Sequence, residues 1–213
     1  IIKIVTCHLI FTLTIYKFFA MIFFETYGKE ATMDLLVVID MVEGFVNHGA
    51  LADKNINRIV DNISCEIEKF ISKGQDIIAF KDTHDPHDIE FENYPPHCIK
   101  GTDECELVPQ LKKFSDKMMI VEKNTTNGFV TSEFGKYIAS KKLDTIVVTG
   151  CCTDICVYIF VESLMQYLKS NKLATRVVVY KNMVDTFGGD NHLADEINRE
   201  YLQKMSKLGV EIR

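Results

Sequence analysis

Three residues whose types can do chemistry stand at the ends of apolar runs. Asp40 follows the run Leu35-Leu36-Val37-Val38-Ile39, and Lys123 follows Met118-Met119-Ile120-Val121-Glu122. Cys156 lies just beyond Ile146-Val147-Val148-Thr149-Gly150, in the stretch TIVVTGCCTDICV. Apolar β-branched runs of this length read as buried parallel strands. Residues at the carboxyl edge of such a sheet face the place where α/β proteins bind ligands. A carboxylate, an ammonium and a thiol meeting there form a coherent set. The carboxylate takes the thiol proton, the ammonium holds the charges, and the sulfur becomes a nucleophile. Cys156 is expected in the first turn of a helix, where unpaired N–H groups and the helix dipole would depress its pKa. Taken singly, each residue also has a plain structural reading: a turn cap, a surface lysine, a small buried thiol.

A second set surrounds the loop at 82–106, DTHDPHDIEFENYPPHCIKGTDECE. Asp82 and His84 are two apart at a strand end, so an extended backbone points both side chains the same way. His97 returns after Pro95-Pro96. One carboxylate and two imidazoles suit Zn²⁺, Mn²⁺ or Fe²⁺ with open coordination positions. His87 reads as a surface residue. A zinc knuckle of His97, Cys98 and Cys105 is a rival, but its spacing fits no regular zinc motif. Phe45 and Tyr94 are the nearest aromatics and can stack on a flat substrate.

The elements that must position these residues alternate. Strands are expected at 35–39, 77–80, 118–122, 146–149, 177–180 and 209–213. Helical spacing covers 52–72, 132–142, 155–168 and 193–208, with a short helix near 107–114. The last long helix is expected to bury Leu193, Ile197, Tyr201, Met205 and Leu208 on one face. Gly74 is placed to cap the first long helix. Alternation of this kind implies an α/β fold with a mostly parallel sheet covered on both faces.

The chain has 213 residues, 47% of them hydrophobic, and a net charge of −6. That is enough for one domain with a sizeable core. No basic stripe supports nucleic-acid binding, and no glycine-rich phosphate loop is present. Seven cysteines at irregular spacing argue against a disulfide framework and for a cytoplasmic setting. Residues 1–32 are apolar and aromatic but broken by Lys3, His8 and Lys17. They are expected to be an extension outside the fold, which occupies 33–213. A membrane tether is the alternative for them, and no membrane partner is expected for the domain.

The ordered blocks resemble the isochorismatase-like cysteine hydrolases, and among them the nicotinamidases. The blocks are Asp40-Met41-Val42-Glu43-Gly44-Phe45, Asp82-Thr83-His84, Tyr94-Pro95-Pro96-His97-Cys98, Glu122-Lys123, and Gly150-Cys151-Cys152-Thr153-Asp154-Ile155-Cys156-Val157. The resemblance implies a three-layer αβα, Rossmann-like fold with a six-stranded sheet, commonly assembled as homo-oligomers. It implies a catalytic triad of Asp40, Lys123 and Cys156 and a cis peptide between Cys151 and Cys152. It places an oxyanion hole on the N–H groups of Cys152 and Cys156. A single divalent metal, zinc foremost, would bind at Asp82, His84 and His97, with Phe45 and Tyr94 flanking the ring. The implied reaction is release of ammonia from nicotinamide through a cysteine thioester, a step of NAD salvage. Tyr94 stands where the family usually has Trp, and Thr83 where nicotinamidases usually have an aromatic residue. Another small amide, ureide or carbamoyl compound is therefore the alternative substrate, and a metal or redox module the alternative from another class.

Overall fold

A computed structural model of the chain describes residues 33–213; the expected extension at 1–32 lies outside the described residues. Six strands form one sheet: β1 (Asp34–Ile39), β2 (Asp76–Asp82), β3 (Met119–Lys123), β4 (Thr145–Cys151), β5 (Arg176–Asp185) and β6 (Glu211–Ile212). Their order is β3-β2-β1-β4-β5-β6, and every pairing is parallel. The helices are α1 (Glu43–Val46), α2 (Val60–Ser72), α3 (Pro109–Lys112), α4 (Ser132–Ser140), α5 (Tyr158–Ser170) and α6 (Ala194–Lys207).

The strands read as continuous apolar runs because both their faces are covered. On one face Leu36, Val38, Ala79 and Val147 pack under Ile63, Ile67 and Phe70 of α2 and Leu111 of α3. On the other, Leu35, Val37, Ile39 and Ile78 pack under Phe134 of α4, Phe160 and Leu164 of α5, and Met205 of α6. The alternation of odd and even residues between the two clusters is the pleat of a strand. The result is the expected three-layer αβα arrangement.

The connections diverge at β1. Strand β2 lies on one side of it and β4 on the other, in register Val37 with Ile78 and with Val148. A crevice opens at the carboxyl ends where the strand order reverses. Gly150 is required there. Its φ is +114°, and an added Cβ would collide with the Ile39 carbonyl oxygen.

Four sequence expectations change. The segment expected as a helix from 52 begins as a 3-10 turn, Lys54–Ile59, before α2. Residues 43–46, where no strand or helix is expected, form the single turn α1. Strand β5 runs to Asp185, beyond the expected 180, because a register shift opposite Val148 and Gly150 carries it past the exposed Lys181 and Asn182. On α6, only Met205 is buried; Leu193 is 56% and Leu208 37% exposed, so the expected apolar face is only partly covered. Gly74 takes a positive φ directly after α2, as a terminating glycine should. No helix of the described residues is long and apolar enough to cross a membrane. The six described cysteines are free thiols.

Candidate active site

Asp40 is the first residue past β1 and has φ +52°. An aspartate tolerates this left-handed conformation better than most residues, and such strain concentrates at functional sites. Its N–H donates to the Phe80 carbonyl of the neighbouring strand, which fixes the turn. Lys123 and Asp82 end β3 and β2 as direct register partners. The Lys123 ammonium therefore lies between two carboxylates, 2.8 Å from Asp40 Oδ2 and 2.7 Å from Asp82 Oδ1. All three side chains are buried.

Burial raises the Asp40 pKa to about 6 and outweighs the pull of Lys123, with Asp82 adding to the rise. The neighbouring Cys156 thiol acts the other way and lowers it. Neither Asp40 oxygen has a well-aligned hydrogen bond, so the Lys123 contact is an ion pair and acceptor capacity remains. Asp82 differs. Burial opposes its charge, but Lys123, His84 and His97 together hold it well below the usual carboxylate range. Two buried carboxylates around one ammonium thus sit on opposite sides of their ordinary value, a pattern of acid–base sites.

The position of Cys156 departs from expectation. Cys156 lies in a π-type turn, Thr153–Val157, and the α-helix proper begins only at Tyr158. Burial pushes its thiol well above the ordinary value; Lys123 lowers it and Asp40 raises it further. A depressed pKa from the helix start is therefore not what the fold provides. The resting group is a protonated thiol next to a carboxylate of raised pKa. The peptide between Cys151 and Cys152 is cis, as the resemblance implied.

The second set also assembles. His84 Nε2 lies 2.9 Å and His97 Nε2 3.1 Å from Asp82 Oδ2. Ligand atoms of all three lie within 4.8 Å of one another, and no cysteine belongs to the group. His97 Nδ1 lies 2.7 Å from the Pro95 carbonyl oxygen. A proton on Nδ1 donates there and leaves Nε2 as the lone-pair nitrogen. His84 Nδ1 has no aligned partner; the Asp88 carboxylate is 3.4 Å away. Burial lowers the pKa of both imidazoles, and the Asp82 contact outweighs it and raises them. Two converging nitrogens and one oxygen, with their outer nitrogens facing oxygens, fit a divalent ion such as zinc. His87 is exposed, as expected. Cys98 and Cys105 bond to backbone carbonyls of their own loop.

A cavity of about 470 Å³ joins the two sets. Asp82, His97, Cys152 and Cys156 line it, together with Phe45 and Tyr94. Phe45 and Tyr94 both pack on the His97 ring, at 5.7 and 6.2 Å between centroids. Every site residue expected from sequence is thus found in this one region; Asp40, Lys123 and His84 lie buried behind the wall. Sequence reasoning missed Phe91, which packs on both imidazoles, and the lining residues Glu90 and Phe187. Glu90 and Phe91 were readable only as members of a long loop, and Phe187 as a residue after a strand that seemed to end earlier.

The isochorismatase domain model matches residues 34–196. Nicotinamidase 1 of Arabidopsis thaliana is 36% identical over 179 residues, covering 76% of this chain and 73% of that protein. Among solved structures, the pyrazinamidase/nicotinamidase of Streptococcus mutans UA159 aligns with a TM-score of 0.73 at 24% identity, covering 84% of this chain and 99% of that one. The pyrazinamidase of Pyrococcus horikoshii in complex with zinc aligns at 0.70 and 24% identity, covering 84% and 98%.

Proposed function

This chain belongs to the isochorismatase domain family, and from that premise we propose that it hydrolyses nicotinamide to nicotinic acid and ammonia through a thioester on Cys156. The observation that carries the reading is the Lys123 ammonium shared by Asp40 and Asp82. It ties an acid–thiol pair to a histidine–carboxylate metal site at one cavity.

In the proposed mechanism Asp40 takes the Cys156 proton as the sulfur attacks the amide carbonyl. A carboxylate of pKa about 6 is ionised at neutral pH yet basic enough to serve. Lys123 keeps it ionised and orients it. The N–H groups of Cys152 and Cys156 hold the oxyanion, at roughly 3–4 kcal/mol per donor. Asp40 then gives its proton to the leaving ammonia. Water, deprotonated by the same carboxylate, adds to the thioester carbonyl and expels the thiol. Phe45 and Tyr94 sandwich the flat ring. Asp82, His84 and His97 would hold one divalent ion, zinc foremost, which would supply Lewis-acid chemistry toward the ring nitrogen. Tyr94 in place of Trp leaves a smaller wall.

The test is ammonia release from a panel of nicotinamide, pyrazinamide, ureides and carbamoyl compounds. Nicotinamide should be the best substrate by kcat/KM. A ureide or carbamoyl compound turned over faster would replace it, and no ammonia from any would refute the amidohydrolase reading.

A further inference from the structure

Phe187 belongs to none of the sequence blocks, yet it lines the cavity with Cys156. Among the described residues its ring contact is not with the group of Phe45, Phe91 and Tyr94 around His97. It stacks instead on His192, at 4.0 Å between centroids and 4° between planes. The loop after β5 that carries it is tied down on two sides. His192 Nδ1 lies 2.9 Å from the Phe187 carbonyl oxygen, and Nε2 lies 2.9 Å from Asp154 Oδ2. Thr186 donates its hydroxyl to Asp154 Oδ1. Asp154 stands in the π-type turn that carries Cys156. On the other side, Gly188 N–H donates to Asp53 Oδ2 at 2.7 Å, and Asp53 N–H donates to the Phe45 carbonyl at 3.0 Å. Asp53 therefore clamps the Phe187 loop to the segment bearing Phe45, and Asp154 clamps it to the segment bearing the nucleophile.

A cavity-lining ring tied to both the segment of Cys156 and the segment of Phe45 sets how much room a substrate has. We propose that Phe187 is a substrate-contacting residue that limits the size of the ring amide, and that His192 is the positioning residue that holds it. This rests on the amidohydrolase reading above. Removing the ring opens the wall, weakens contact with a small flat substrate, and admits a larger one.

The experiment compares kcat/KM for nicotinamide and for a benzo-fused ring amide, quinoline carboxamide, in wild type, Phe187→Ala, Phe187→Leu, His192→Ala and His192→Phe. Phe187→Ala should raise KM for nicotinamide about tenfold with a smaller change in kcat, the scale of one lost aromatic contact. It should raise the ratio of bulky to small kcat/KM by about tenfold or more. Phe187→Leu, which refills the wall, should fall between. His192→Ala should shift the ratio in the same direction without removing any substrate contact. His192→Phe, which keeps a ring to stack on, should restore it. A ratio unchanged in Phe187→Ala and Phe187→Leu, with an active wild type, overturns the assignment of Phe187 alone. A His192→Ala variant that loses thermal stability but keeps the wild-type ratio overturns the positioning role. A wild type inactive on every ring amide overturns the parent reading and this one with it.

Discussion

Lys123 faces two masters at the residue scale. Its ammonium pairs with both Asp82 and Asp40, yet burial raises Asp40 to about 6 while Lys123, His84 and His97 together hold Asp82 well below its ordinary value. The sign of the consequence is fixed. In the proposed mechanism Asp40 acts as base only when ionised, so activity is expected above the shifted pKa and is lost as pH falls through it. We expect kcat/KM for nicotinamide to fall about tenfold per pH unit below about 6. A rate profile that stays flat down to the ordinary aspartate value of 3.8 would remove Asp40 from the base role. The same burial explains why the expected activated thiolate is absent. Its sulfur is enclosed and next to a carboxylate, and both effects favour the neutral thiol. From sequence only the helix start was visible; the depth of burial was not.

At the scale of elements, the site depends on how β1, β2 and β3 end together. Phe80 of β2 links site and core: its carbonyl accepts the Asp40 N–H, and its ring packs on Phe134 and Phe160. Phe160 is fully buried and also contacts Phe129. Phe160→Ala should cost about 3–5 kcal/mol of stability, read as a lower urea midpoint at unchanged slope. A cost under about 1 kcal/mol would mean that this cluster collapses without it. Asp40, Lys123 and Cys156 were legible in the sequence because two of them close apolar runs and Cys156 lies in the turn after a third, and the ends of parallel strands share one edge. Asp82 and His84 were legible because period two fixes their direction. Phe187, His192 and Asp53 were not, since their partners lie far off in sequence and their loops have no period. The end of β5 was hidden for a local reason: Lys181 and Asn182 interrupt the apolar run while the strand continues across a bulge. The pattern on α6 misled because helical spacing of apolar residues does not guarantee a covering partner.

For the whole molecule, the fold supplies a crevice and the side chains decide what happens in it. The two sets line one crevice but use different residues, so the proposed metal site and the proposed nucleophile should fail separately. Chelation should remove activity on nicotinamide, and elemental analysis should find about one divalent ion per chain before treatment. His97→Ala should lose metal while leaving the Cys156 thiol alkylable by iodoacetamide. A chelated, metal-free sample at full rate would take Asp82, His84 and His97 out of the reaction. The account nevertheless stands or falls on the sulfur of Cys156. Its most direct test is rapid quench of nicotinamide turnover followed by mass analysis of the intact chain and its peptides. We predict an acyl adduct on the peptide containing Cys156, absent in Cys156→Ala, which should be folded and inactive. Turnover undiminished in Cys156→Ala, or an adduct carried by Cys152, would contradict it.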